Sequence, residues 1–294
     1  MVQHAQLWQS SQGQTVPRPP AGSGGSAEPL DSCSGLGPKV IASVVPDGPP
    51  LSAAAAKSRR ARCLRAVTFD FWGTLIWPES ALQARAAAVA AHLGVEEAEV
   101  ARAIESAFLL HTETWRSGRE FGLNGLIQHL RQQFEISSPA ELRSVIAAPQ
   151  LLSASRPAPH VAEALTELRA AGLRLGVVSD TGFSPGTTLR QLLSEHSLLD
   201  KFEPSALAFS DEVGVPKPAA TIFQAALVGL GTLPEETAHV GDLRFTDVVG
   251  ARALGMMTVR YRGCHDDLAG AEADMIVDDL SQLPSLLLEA ARGN

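Results

Sequence analysis

Cysteine, lysine and long apolar runs are all scarce in this chain, and each scarcity excludes a class of protein. The three cysteines, Cys33, Cys63 and Cys264, are odd in number, far apart and form no Cys-x-x-Cys pair. That spacing fits neither a disulfide framework nor a cysteine metal cluster, so a reducing compartment, the cytoplasm, is expected. No apolar run approaches the ~20 residues that cross a bilayer. The longest, such as "LRLGVVS", have the length of buried strands. A basic excess is also missing: 24 basic residues stand against 32 acidic ones, for a net charge of −8. The electrostatic footprint of a nucleic-acid binder is therefore absent. Expected partners include neither nucleic acid nor a membrane, and the chain is expected to be a monomer or homodimer.

What is present is apolar mass for a sizeable core, 45% of 294 residues. That suits one α/β domain of about 200 residues plus an insert or a tail. Residues 1–62 do not contribute to it. Eight of the 19 prolines fall within residues 1–60, in stretches such as "VPRPP" and "PDGPP", and no helical or alternating period survives there. A disordered leader is expected, because it has little apolar surface to offset the entropy of ordering. It has no apolar segment of the kind a secretory signal needs. Its low acid content and the basic "KSRRARCLR" leave a transit peptide, or an over-extended gene start, as alternatives.

From residue 65 strands and helices alternate. "AVTFDF" reads as a strand, "HVAEALTELRAAG" as a helix stopped by Gly172, and "GLRLGVVSD" as the second strand. "ALAFS", "TAHVGD", "MMTVRY" and "ADMIVDD" complete the series, with "DVVGARALG" as a helix ending at Gly255. Such alternation predicts a doubly wound parallel sheet covered on both faces, with ligands beyond the carboxyl ends of its strands. Residues 78–150 interrupt it with four helical stretches, from "ESALQARAAAVAAHLG" to "AELRSVIAA". The expected organisation is a leader (1–62), a core (63–77 and 151–294) and an α-helical cap inserted over the first strand's end (78–150).

Polar residues gather at the strand ends. The first strand ends at Asp70, the second at Ser179, the loop "DEVGVPKP" carries Lys217, and "HVGDLRFTD" carries Asp242 and Asp247. Together they supply a carboxylate nucleophile, a hydroxyl donor, a cation and an acidic pair. A carboxylate can attack a phosphate only if bound positive charge cancels the repulsion between two anions. A lysine and a magnesium ion held by the acidic pair would do so. The chain has 20 arginines but only four lysines, and one of the four stands in "VPKP". A compact ammonium suits a crowded phosphate site better than a wide guanidinium.

In this order, "DFWGTL", "VVSD", "GVPKP" and "GDLRFTD" resemble the four motifs of the haloacid dehalogenase superfamily, over residues 65 to about 285. The resemblance implies a Rossmann-like core with a helical cap and a magnesium-dependent hydrolase of a small phosphorylated metabolite. Asp70 matches the nucleophile that forms an aspartyl-phosphate. Lys217 matches the lysine that neutralises it. Ser179, with Asp180 beside it, and Lys217 form the implied phosphate-binding set. Asp70, the backbone carbonyl of Trp72, Asp242 and Asp247 form the implied metal set.

Trp72 is the departure. Family phosphatases usually carry an aspartate there as general acid and base, typically worth 10²–10⁴-fold. An indole cannot transfer that proton, although its backbone carbonyl remains. Leaving-group protonation must come from elsewhere, with Asp180 or an insert residue such as His111 or Glu113 as candidates, or be unnecessary. Related dehalogenases also lack the second aspartate and attack carbon without metal, but do not usually keep an acidic pair like Asp242 and Asp247. That reading, and a catalytically silent binding or regulatory protein, stand as alternatives. In the insert, His111, Trp115 and Arg116 are weaker candidates for touching substrate. "CHDD", Cys264 to Asp267, looks like a metal cluster in composition alone and is expected to be an exposed loop.

Overall fold

A computed structural model describes residues 64–78 and 81–292; the expected leader, residues 1–62, lies outside the described residues. The described core is a six-stranded sheet. Its strands are β1 (Ala66–Phe69), β4 (Arg174–Ser179), β5 (Leu207–Phe209), β6 (Thr237–Gly241), β7 (Met257–Tyr261) and β8 (Met275–Val277). Their order is β5-β4-β1-β6-β7-β8, and every pairing is parallel. This is the doubly wound α/β architecture expected from the alternation.

The central strand reads as a continuous run rather than an alternating one because both of its faces are covered. Val67 and Phe69 face one apolar cluster with Leu175 and Val177. Leu165 and Leu168 of helix α5 (Val161–Ala170) and Leu287 of α10 (Leu283–Arg292) complete that layer. On the other face Val178 and Ala208 meet Ile222, Phe223 and Ala226 of α8 (Ala220–Leu230). After β1 the chain reaches β4 on one side and later β6 on the other. Asp70 therefore sits in the crevice where the winding reverses.

Between β1 and β4 lie four helices: α1 (Ala81–Leu93), α2 (Glu97–Arg116), α3 (Gly122–Gln133) and α4 (Pro139–Ile146). They share an apolar cluster of their own, in which Val100, Ala103, Ile104 and Ala107 of α2 recur at helical spacing. Leu126 and Leu130 of α3 and Leu142 and Ile146 of α4 pack against them. The start of α4 is marked in the sequence. Pro139 opens the helix, and the Ser138 hydroxyl accepts a hydrogen bond from Glu141 N at 3.3 Å.

The chain enters and leaves this insert through a clasp that the sequence reading lacks. Strand β2 (Ile76–Trp77) pairs antiparallel with β3 (Arg156–Pro157). Ala158 N adds a hydrogen bond to Leu75 O at 2.9 Å. Each strand is two residues long, too short for alternation to show. Among the described residues, no helix is long and apolar enough to cross a membrane.

Candidate active site

The floor of the site is built from the ends of three adjacent strands and one loop. Asp70 follows β1 directly, and its N–H donates to Val240 O at 2.8 Å, which ties the turn to β6. That turn passes under Asp242. Gly73 has φ +79, and a Cβ there would lie 2.2 Å from Asp242 Oδ2. A glycine is required on both counts. Gly241 is constrained likewise, since a Cβ would lie 2.3 Å from Asp247 Cγ. After Leu243 the chain forms a π-helical turn, Arg244–Val248, before α9 (Val249–Leu254) begins. Asp247 lies in that turn and accepts from Leu243 N at 3.0 Å, so it caps its own turn as well as facing the site.

Lys217 joins the carboxylates. Its Nζ donates to Asp70 Oδ1 at 2.5 Å and to Asp247 Oδ1 at 2.7 Å, and all three side chains are buried. Burial opposes the ammonium's charge, but Asp247, Asp70 and Asp180 outweigh it and push the Lys217 pKa up. Asp247 is held well below the usual carboxylate range: burial acts against ionisation, and Lys217 and His239 overcome it. Asp70 is pushed up to about 7, first by burial and then by Asp247, with Lys217 opposing. Asp242 is pushed up by burial and by both neighbouring carboxylates.

His239 is a member of the site that the sequence reading missed. Its Nε2 lies 3.0 Å from Asp247 Oδ1, and its Nδ1 lies 2.9 Å from the Thr68 hydroxyl. With Asp247 ionised, Nε2 carries the proton and donates it to the carboxylate, and Nδ1 accepts from Thr68. Burial pushes the imidazole pKa down, which keeps it neutral in that role. A buried line thus runs Thr68, His239, Asp247, Lys217, Asp70. The only sequence signal was a histidine inside the apolar strand "TAHVG".

The acidic residues fit a cation. Oxygens of Asp70, Asp242 and Asp247 lie within 4.8 Å of one another. Asp242 Oδ1 is buried and accepts no hydrogen bond. One ammonium does not balance this density of buried carboxylate, and an all-oxygen donor set suits a hard divalent ion.

The remaining candidates separate. Ser179 is fully buried at the end of β4, its hydroxyl 3.2 Å from Asp180 O. Asp180 is engaged through both oxygens: Oδ1 accepts from Lys217 N at 2.8 Å and Oδ2 from Trp115 Nε1 at 2.9 Å. It is a structural junction rather than a carboxylate turned toward an anion. Trp72 is half-buried, edge-on to Phe71 with centroids 4.8 Å apart, and its backbone bridges to Ile76.

Of the three insert candidates, Trp115 reaches the floor. His111 is packed among Phe108, Phe121 and Phe183, with centroids 6.3, 6.0 and 5.4 Å away, and burial pushes its pKa down to about 4. Arg116 is exposed.

The exposed-loop reading of "CHDD" is corrected. Asp267 is buried and accepts from Arg244 N at 2.6 Å and Ala269 N at 2.9 Å. His265 Nδ1 lies 3.3 Å from Asp242 Oδ2. Arg260 anchors this segment through Asp266 at 2.6 Å and Glu272 at 2.7 Å. Asp266 remains exposed, and the basic partners come from β7 and the turn after β6, so nothing local in "CHDD" signals that Asp267 is buried.

A parallel α/β sheet whose central strand presents a carboxylate, beside a lysine and two further acids from neighbouring strand ends, defines a class of hydrolases. A model of the haloacid dehalogenase-like hydrolase family matches residues 64–255, and the chain belongs to that family. It is 34% identical over 139 residues to a glyceraldehyde 3-phosphate phosphatase of Methanocaldococcus jannaschii, covering 45% of this chain and 57% of that one. With a phosphoserine phosphatase of Thermus thermophilus it shares 34% identity over 126 residues, covering 42% and 49%. The matches thus span about half the length of these curated relatives. Among solved structures, a HAD phosphatase from Thermococcus onnurineus aligns with a TM-score of 0.58 and 26% identity, covering 76% of this chain and 98% of that one.

Proposed function

We propose that the protein is a magnesium-dependent phosphatase of a small phosphorylated metabolite, acting through an aspartyl-phosphate on Asp70. The observation that carries this is the Lys217 ammonium shared between Asp70 and Asp247, beside the unsatisfied oxygen of Asp242. The similarity to phosphatases supports the same reaction class. Magnesium held by Asp70, Asp242, Asp247 and the Trp72 carbonyl would cancel phosphoryl charge and let an anionic nucleophile approach.

The residues then divide the work. Lys217 orients the Asp70 carboxylate and offsets the negative charge that gathers as it attacks phosphorus. The bond from Asp70 oxygen to phosphorus forms, the bond to the leaving group breaks, and its electron pair stays on the leaving oxygen. Ser179 donates its hydroxyl to a phosphoryl oxygen. Water then attacks the phosphorus, the aspartyl bond breaks with its electron pair returning to Asp70, which is regenerated as a carboxylate, and phosphate departs carrying both of the water's protons. Trp72 offers no proton to the leaving oxygen. Substrates whose leaving groups depart as anions are therefore favoured. The helical insert is read as a cap that covers this floor.

The test is turnover of an aryl phosphate with and without magnesium, in the wild type and in Asp70→Asn. Metal-dependent turnover lost in Asp70→Asn, together with loss of magnesium-dependent binding of beryllium fluoride, is expected. Near wild-type turnover in Asp70→Asn removes the mechanism, and metal-free turnover of a haloacid would replace it with attack on carbon.

A further inference from the structure

Trp115 makes two contacts that link the insert to opposite sides of the site. It stands near the end of α2, yet its indole N–H donates to Asp180, at the end of β4. Its ring lies edge-on to Phe245, with centroids 6.3 Å apart, in the π-turn that follows Asp242. The insert meets the core elsewhere as well, where Phe183 packs against Phe108, His111 and Phe121. Arg85 donates to the Ser184 hydroxyl at 2.6 Å, and the Thr188 hydroxyl donates to Ala147 O at 2.8 Å. Asp180 itself is half-buried, and its second oxygen takes the main-chain N–H of Lys217. One carboxylate therefore reads two things at once, the position of the insert and the position of the lysine backbone.

We propose that Trp115 is a positioning residue that ties closure of the insert to Lys217: its indole N–H holds Asp180, and Asp180 holds the main chain of Lys217. This rests on the role given to Lys217 above. Withdrawing the indole removes a donor from a part-buried carboxylate oxygen, which carries a cost. Asp180 then turns toward other donors or water, and the lysine loop loses its anchor. Because Lys217 Nζ must serve Asp70 and Asp247 together, a small displacement matters; misplacing a reacting group by ~1 Å can cost ~10²-fold in rate.

The experiment uses the full-length protein in three variants. Trp115→Phe keeps a ring against Phe245 and removes the donor. Asp180→Asn keeps one acceptor oxygen instead of two. Their combination closes a double-mutant cycle. For a small aryl phosphate, Trp115→Phe is expected to lower kcat by ~10- to 10²-fold with KM changed far less. The double variant should be no slower than the slower single one, because both changes cut the same connection. Independently of turnover, the Lys217 backbone amide should exchange faster with solvent in Trp115→Phe, while the amides of β1 do not. Unchanged kcat and amide exchange in Trp115→Phe, or fully additive losses that track melting temperature, overturn the proposal. If the wild type shows no Asp70-dependent turnover, the phosphatase reading fails on its own, and the Lys217 amide alone decides whether the connection exists.

Discussion

The floor of the site and the helical insert, proposed above as its roof, are built on opposite physical plans. The floor is charge in a dry place: Asp70, Asp242, Asp247 and Lys217 are all buried, and Lys217 bridges Asp70 and Asp247 from a separate loop. The roof is aromatic surface: His111, Phe108, Phe121 and Phe183 pack as rings, and Trp115 lies edge-on to Phe245. Charge in a low-dielectric site is position-specific and intolerant of substitution. Ring contacts are broad and exchangeable. The difference separates a part that tolerates little substitution from one that tolerates more, and it orders what mutation should do.

Breaking the floor has the largest effect. Lys217→Met leaves Asp70 and Asp247 facing each other without a counter-charge. Removing one partner of a buried ion pair costs ~3–5 kcal/mol of stability. Loss of one preorganised donor to developing charge costs ~10²–10³-fold in kcat. Magnesium should raise the melting temperature of Lys217→Met by more than that of wild type, because the ion then supplies the missing charge. Equal magnesium shifts would place the ion away from these carboxylates.

Trp72 lies in the turn that joins the floor to the clasp, so it sharpens the comparison. With no acid beside the leaving group, turnover should fall steeply as the leaving group's pKa rises across a series of aryl and alkyl phosphates. Trp72→Asp should flatten that dependence and raise alkyl phosphate turnover by about 10²-fold, the low end of general-acid effects. The indole packs against the core, so a loss of stability accompanies the gain. Equal rates across the wild-type series, with chemistry rate-limiting, would show that another residue supplies the proton.

The two plans were not equally legible. Asp70, Lys217, Asp242 and Asp247 could be placed because each stands at a strand end or in a loop whose apolar run or glycine is visible locally. The sheet was readable for the same reason, since every buried strand is a short apolar run. Trp115 and His111 looked alike in "LLHTETWRSG", yet one meets Asp180 and the other three phenylalanines. Which way a residue points depends on how α2 packs on α3 and on Phe183, a contact made from outside the insert. The clasp β2–β3 joins residues 76–77 to 156–157, and nothing in either dipeptide names the other.

His239 escaped for a related reason, and it supports the floor from behind. A histidine in an apolar strand is most simply a core residue, and here it is one that also donates to Asp247. His239→Phe keeps the ring beside Phe223, whose centroid lies 5.1 Å from the imidazole, and removes the hydrogen bond. Losing such an outer partner typically costs ~10–100-fold in metal affinity. The magnesium concentration needed for half-maximal turnover should rise by that factor, with a smaller change in kcat at saturating metal. An unchanged magnesium requirement would mean that Asp247 is held by Lys217 and Leu243 alone.

The smallest effect belongs to the roof and concerns pH. His111 is pushed down to about 4 by burial among the three rings, whereas in the unfolded chain it titrates near 6.5. The folded protein thus holds the imidazole neutral. Above pH 6.5 both states are neutral and His111 costs nothing. As pH falls from 6.5 toward 4, the unfolded chain takes up a proton that the fold refuses, and stability drops. Asp70 works the other way. Its pKa is raised to about 7, so in metal-free protein stability declines as pH rises from ordinary carboxylate values toward 7, when the unfolded chain releases a proton that the fold retains. His111 and Asp70 therefore have opposite pH slopes over the same range. His111→Leu removes the titrating group while keeping an apolar side chain of similar size. Denaturant unfolding of wild type and His111→Leu in chelator, from pH 7.5 down to 4.5, isolates this imidazole. The two should be close at pH 7.5, and the variant should lose less stability as the solution is acidified. Parallel loss in both would show that the imidazole is protonated within the ring cluster and that the acid sensitivity arises elsewhere.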